Sequence, residues 1–212
     1  VKQEVYSVRT LIPALLLLAV ISGALAMWYD TLKINATIET GYVDIEFSGT
    51  PSVDEGMEYG KPWVASCSAQ LVEVQDEDPN NPAGNNDLDL KIVISNAYPC
   101  YHCKVSNVSV KNTGSVPVKL NTTVYIIYGS TEIKCSAYED QATGETKYAC
   151  DTDGNGEADI VVWGCFTSLN GKQIEPGGTQ SFTVDIHVEQ DAEQKSTYTV
   201  EIIIRGIQWN EY

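Results

Sequence analysis

Basic residues are scarce. Lys and Arg number 13 against 29 Asp and Glu, a formal charge of −16 at neutral pH. A chain this acidic is unsuited to tracking a phosphate backbone or gripping an anionic lipid surface, so nucleic acid is not an expected partner. Histidine is scarcer still, at positions 102 and 187 only, which leaves little room for histidine chemistry. Each reads as structural or exposed, since neither has an evident partner nearby in sequence. There is no H-E-x-x-H, no G-x-S-x-G and no phosphate-cradling glycine motif, so neither an enzyme nor a small-molecule substrate is expected. Phe is rare beside Tyr, 3 against 12, a balance that suits strands with an apolar body and a wet tip. Beyond the N-terminus there is no long segment of helical period. Hydrophobic content of 43% over 212 residues nonetheless supplies a core for one globular domain.

The first residues read as a targeting segment. Lys2 and Arg9 precede an apolar run from Leu11 to Ile21, and Ala24 and Ala26 then form an A-x-A exit. That order is the plan of a secretory signal, so 1–26 is expected to be a signal peptide and 27–212 the mature domain. The alternative is a retained hydrophobic helix, as in a membrane-anchored or type IV pilin-like protein.

Secretion gives the cysteines a meaning. Cys67, Cys100, Cys103, Cys135, Cys150 and Cys165 are an even set in an oxidising compartment, so three disulfides are expected, with the pairing open. Cys135 and Cys150 flank a turn-rich stretch whose base they could staple. A rival reading, zinc on Cys100-x-x-Cys103 with His102, lacks the second Cys pair that such sites use.

Runs rich in Val, Ile, Thr and Tyr recur between Gly, Pro, Asn and Asp clusters. Strands are expected at 29–39, 42–48, 63–75, 88–96, 104–112, 117–128, 131–136, 159–167, 180–189 and 196–208. About ten strands in one domain imply an all-β antiparallel sandwich, read as a jelly roll. Two acidic insertions, 76–87 and 137–158, break the rhythm. In 29–39, Leu32, Ile34, Ala36 and Ile38 share one face, while the apolar set shifts to odd positions from Val43 onward. That parity change needs a bulge, turn or change of sheet near Gly41. Such a strand either packs in its own sandwich, the commoner arrangement, or is donated to a neighbouring subunit.

Asp151, Asp153, Asn155, Glu157 and Asp159 place oxygen ligands at alternate positions around Gly154 and Gly156, in the manner of a calcium loop. Position 12 of that loop is Val162 rather than Glu, so Asp159, at position 9, or a residue from elsewhere has to complete the shell. Structural Ca2+ is the expected cofactor; Asp76 to Asp89 is a weaker candidate. Sequons at Asn35, Asn107 and Asn121 mark expected glycosylation sites.

Several of these stretches together resemble a family. Trp28 to Gly41 is similar to the first mature strand of the TasA/camelysin-like secreted proteins, especially archaeal bundling-pilus subunits. Asn96-Ala97-Tyr98-Pro99, the run Val108 to Val118 with its Asn112-Thr113-Gly114, Pro176-Gly177-Gly178 and the ending Gln208-Trp209-Asn210-Glu211 extend the likeness. The resemblance implies a jelly-roll subunit of an extracellular filament, secreted and joining cells or forming biofilm matrix. Its partners would be identical subunits, and filaments on neighbouring cells. It further implies head-to-tail polymerisation by donor-strand complementation, with 29–39 as the donor. Camelysin is classed as a metallopeptidase; without a zinc-hydrolase motif that role is not carried over, and a camelysin-like metallopeptidase stands as the third reading, after the filament subunit and the anchored or pilin-like protein.

Overall fold

The computed structural model describes residues 8–26, 41–55, 64–73 and 88–208. The chain divides into two units, Val1–Thr40 and Gly41–Tyr212. In the first, α1 (Val8–Ala26) is built from Leu, Ala, Ile and Val, with Pro13 inside it. Its described side chains, Leu11 to Ile21, are exposed. Among the residues described with side chains, no helix is long and apolar enough to cross a membrane. The expected donor strand 29–39, with Leu32, Ile34, Ala36, Ile38 and the sequon at Asn35, lies outside the described residues. So does the acidic insertion 76–87.

The second unit is an all-β sandwich of two antiparallel sheets. One sheet holds, in spatial order, β1 (Ile45–Asp54), β4 (His102–Asn112), β11 (Thr179–Val188), β9 (Ile160–Trp163), β8 (Thr146–Cys150) and β7 (Ser136–Glu139). The other holds β10 (Gln173–Ile174), β5 (Val118–Tyr128), β12 (Tyr198–Gln208), β3 (Leu88–Ser95) and β2 (Ser66–Glu73), with β6 (Thr131–Lys134) also paired to β5. Alternation along the strands decides which faces are buried. Val105, Val108 and Val110 of β4, Val184 and Ile186 of β11, Leu120, Val124 and Ile126 of β5, and Tyr198, Val200 and Ile202 of β12 meet in one core.

The expected strand 42–48 begins later, at Ile45, because Gly41 to Asp44 are tied to the turn after β4. Ser115 N–H donates to Tyr42 O, and Thr113 and Gly114 N–H both donate to Asp44 O, each at 3.0 Å. A Cβ on Gly41 would lie 2.1 Å from Val116 Cγ1, so only glycine fits there. Asn112 is buried at the centre of this junction. Its Nδ2 donates to Val116 O at 2.9 Å and Ile174 O at 3.0 Å, and its Oδ1 accepts from Gly114 N–H at 3.0 Å. The expected strand 159–167 stops at Trp163. Gly164, at φ 127° and pressed against Thr183 O, turns the chain into a 3-10 helix, Cys165–Leu169, which buries Phe166 and Leu169.

The stretch 137–158 is not an insertion off the sheet but carries β7 and β8 as a hairpin. Its turn is closed by Asp140 N–H to Glu145 O, at 2.9 Å, and by the Lys147–Asp140 ion pair. The chain crosses from one sheet to the other between β6 and β7, at Cys135.

Candidate functional site

The crossing at Cys135 also sets the metal-loop candidate. Cys135 is bonded to Cys150, the last residue of β8, and Asp159 N–H donates to Cys150 O at 2.9 Å. The hydrogen bond closes the base of the loop 151–159, the disulfide anchors the residue just before it, and the loop then leads directly into β9. Gly154 and Gly156 both hold left-handed backbone, at φ 80° and 94°, which lets the chain wrap inward. Three carboxylates, of Asp151, Asp153 and Asp159, each offer an oxygen within 4.8 Å of the others.

Their partners fix them. Asp159 is buried, and its Oδ2 accepts from Thr152 N–H and Oγ1–H, both at 2.6 Å. Asp151 accepts from Gly156 N–H at 2.8 Å and Gly154 N–H at 2.7 Å. The Gly156 N–H first, with Gly154 adding to it, holds the Asp151 carboxyl below the usual carboxylate range, so it stays ionised well into acid. Burial, reinforced by the charge of Asp159, pushes the Tyr198 hydroxyl up to about 12. Such a set favours a hard divalent cation with oxygen ligands.

Glu157 is not among the carboxylates that meet here. Asn155 Nδ2 donates to Asp153 Oδ2 at 3.1 Å and also to Asp191, while its Oδ1 accepts from Glu157 N–H at 2.7 Å. The sequence spacing thus brings loop positions 1, 3 and 9 together, with position 5, Asn155, bonded to Asp153.

Four of the six cysteines pair, not six. Cys67–Cys103 joins β2 to β4, and so one sheet to the other; Cys135–Cys150 also links the sheets. Cys100 and Cys165 are free and exposed, which corrects the expectation of a third disulfide. Cys100 N–H is bonded to Val188 O and Cys165 N–H to Thr183 Oγ1, five residues apart along β11. That places them roughly 16 Å apart at strand rise, beyond the reach of a disulfide. The zinc reading of Cys100-x-x-Cys103 also falls, because the Cys103 sulfur is already bonded to Cys67.

Of the described sequons, Asn107 sits exposed on an irregularity of β4 at φ 58°, and Asn121 is exposed on the outer face of β5. Both positions leave room for a glycan.

Sequence reasoning missed a feature of β12. This strand pairs with β5 along its whole length, Tyr198↔Tyr128 through Gln208↔Val118. On its other side β3 accompanies it only over Tyr198–Glu201. Among the described residues, nothing pairs with that side of β12 from Ile202 to Gln208. Burial follows suit: Val200 is 0% and Ile202 3% exposed, whereas Ile204 is only partly buried. Opposite this row, Val43 is 37% exposed, and a Cβ on Gly206 would stand 3.3 Å from Val43 Cγ1 and 3.2 Å from Ile45 Cγ2. Among the described residues, the result is an apolar-floored slot with one unpaired backbone edge. Its only sequence signal is an alternating strand ending in Gly206.

No protein-family model, curated protein or solved structure matches this chain.

Proposed function

We propose that this protein is a secreted structural subunit that polymerises head-to-tail into an extracellular filament, with residues 29–39 of one copy completing the sandwich of the next. The observation that carries this reading is the half-open edge of β12. An unpaired, apolar-floored strand edge is a site for β-augmentation, and it is a hazard to solubility unless something covers it.

The fit is one of length and pattern. Ile202 to Gln208 and Leu32 to Ile38 are both seven-residue runs, about 23 Å of extended chain. The knobs Leu32, Ile34, Ala36 and Ile38 supply the apolar face that the slot lacks. Gly41, where the donor segment joins the body, is fixed at the turn 113–116, and Gln208 pairs with Val118 just beyond that turn. Gly41 and the Gln208 end of the slot therefore lie at the same end of the sandwich. A head-to-tail contact of this kind does not close on itself and so generates a filament. We read the two-sheet order as a jelly roll, in keeping with the likeness to TasA-type subunits, and the role as structural rather than catalytic.

Calcium fits the same reading. A chain of charge −16 must bring acidic surfaces together when it polymerises, and a divalent cation on Asp151, Asp153 and Asp159 lowers that repulsion. The inter-sheet disulfides suit the oxidising exterior. Deleting 27–39 is expected to abolish filaments in electron micrographs and leave monomer or amorphous aggregate. Unchanged filaments from the deleted chain would refute the donor role.

A second reading is favoured by α1. Its described side chains stand open, Leu15 at 65% and Leu18 at 70% exposed, so a retained helix needs lipid or other helices to cover it. Intact mass of the native protein separates the two. A start near Met27 supports the donor strand, and a retained apolar lead supports an anchored or pilin-like subunit.

A further inference from the structure

The two histidines of this chain, distant in sequence, stand directly opposite each other on neighbouring strands. His187 of β11 is paired in register with His102 of β4. Both side chains project from the outer face of the sheet, since their neighbours Cys103, Ile186 and Val188 point into the core. Residues opposed in this way have Cβ atoms about 5 Å apart, close enough for two imidazoles to converge on one ion.

Each ring already has a carboxylate on one nitrogen. His102 Nε2 lies 3.4 Å from Asp185 Oδ1, and His187 Nδ1 lies 3.0 Å from Glu189 Oε1. With the ring proton on the carboxylate side, Nδ1 of His102 and Nε2 of His187 would carry the lone pairs that a metal needs. A carboxylate on the far nitrogen is what orients most metal-binding histidines and raises their basicity. Lys104 Nζ also lies 3.7 Å from Asp185 Oδ1. The rings are about one-third exposed, so solvent can fill the remaining coordination positions.

We propose that His102 and His187 form a two-imidazole site for a borderline transition-metal ion, Cu(II) or Zn(II), with Asp185 and Glu189 holding the rings. Imidazole nitrogen selects such ions over calcium, so this site and the carboxylate loop 151–159 take different metals. The Trp163 ring, 5.8 Å from the His102 ring, serves as a local reporter, because Cu(II) quenches a nearby indole.

The test is titration of the full chain with Cu(II), read by tryptophan fluorescence and by calorimetry, with Zn(II) as competitor. A Cys100→Ser, Cys165→Ser background removes the free thiols as ligands. One ion per chain is expected, with quenching lost in Trp163→Phe while the calorimetric signal stays. His102→Gln and His187→Gln should each weaken binding at least tenfold, and Asp185→Asn roughly tenfold, as for other groups that orient a ligand. Asp151→Asn should change nothing. The proposal is overturned if either histidine variant binds as the parent does, if Asp151→Asn abolishes binding, or if the thiol-free background does not bind. Far-ultraviolet dichroism of each variant separates loss of the site from loss of the fold.

Discussion

Replacing Asn112 by Ala tests the junction at the turn after β4, to which Tyr42 and Asp44 are tied. The side chain is fully buried and makes three hydrogen bonds at 2.9–3.0 Å: two donated, to Val116 O and Ile174 O, and one accepted, from Gly114 N–H. Each such bond contributes about 1 kcal/mol net, and each partner left buried without one costs about 1–3 kcal/mol. Part of that cost is recovered, because the turn lies near the surface and water can enter. The expected loss is therefore about 4 kcal/mol, a large share of the roughly 5–15 kcal/mol that holds a domain together. For a domain of this size it corresponds to a fall of about 10 °C in Tm. Urea unfolding is the assay, with an unchanged m-value required so that the shift in midpoint reads as stability. Asn112→Asp should be at least as damaging, because it removes both donors and buries a charge. A loss under about 1 kcal/mol for Asn112→Ala would show that the junction is not held by this side chain.

Other consequences follow from the same structure. Removing Cys67–Cys103 with a Cys67→Ala, Cys103→Ala pair should cost about 3.8 kcal/mol by loop entropy alone, and removing Cys135–Cys150 about 3 kcal/mol, the closed loops spanning 36 and 15 residues. Equilibrium denaturation of the two double variants gives the order. Calcium at about a hundred times its Kd should stabilise the chain by about 2.7 kcal/mol, and chelator or Asp151→Asn should abolish that gain in a thermal melt. Glu201 has its carboxyl raised, first by burial and then by Glu132 and Asp89. Its contribution is present below the unfolded carboxylate range and lost as pH rises through the raised value. Glu201→Gln should therefore stabilise modestly at pH 7, with the gain vanishing toward pH 4 in paired melts.

What the sequence revealed, and what it hid, divides along local and non-local lines. Alternation within a strand is local, so β3, β4, β5, β11 and β12 are readable nearly to their ends. The calcium-loop spacing is local too, and Asp151, Asp153 and Asp159 do converge. The hairpin of β7 and β8 escaped because Ser136–Glu139 is exposed on both faces and shows no alternation to read. The disulfide pairing depends on which strands face each other across the sandwich, and a count of cysteines is blind to that. The slot beside β12 arises where β3 leaves it after Glu201, and the histidine pair arises from the register of β11 on β4. Both are properties of the sheet rather than of any one segment, so a reading that weighs His102 and His187 separately finds nothing in either.

The central claim is that 29–39 of one copy lies against β12 of another, and zero-length cross-linking in mixed filaments tests it most directly. Light-isotope subunits, whose Lys33 lies on the polar face of the donor segment, are assembled with heavy-isotope subunits carrying Ile203→Glu, whose side chain projects from the outer face of β12. Linked peptides are then sequenced by mass spectrometry. The account predicts 33-to-203 links joining a light peptide to a heavy one. Links confined within single subunits, or none in filaments that still form, would contradict it.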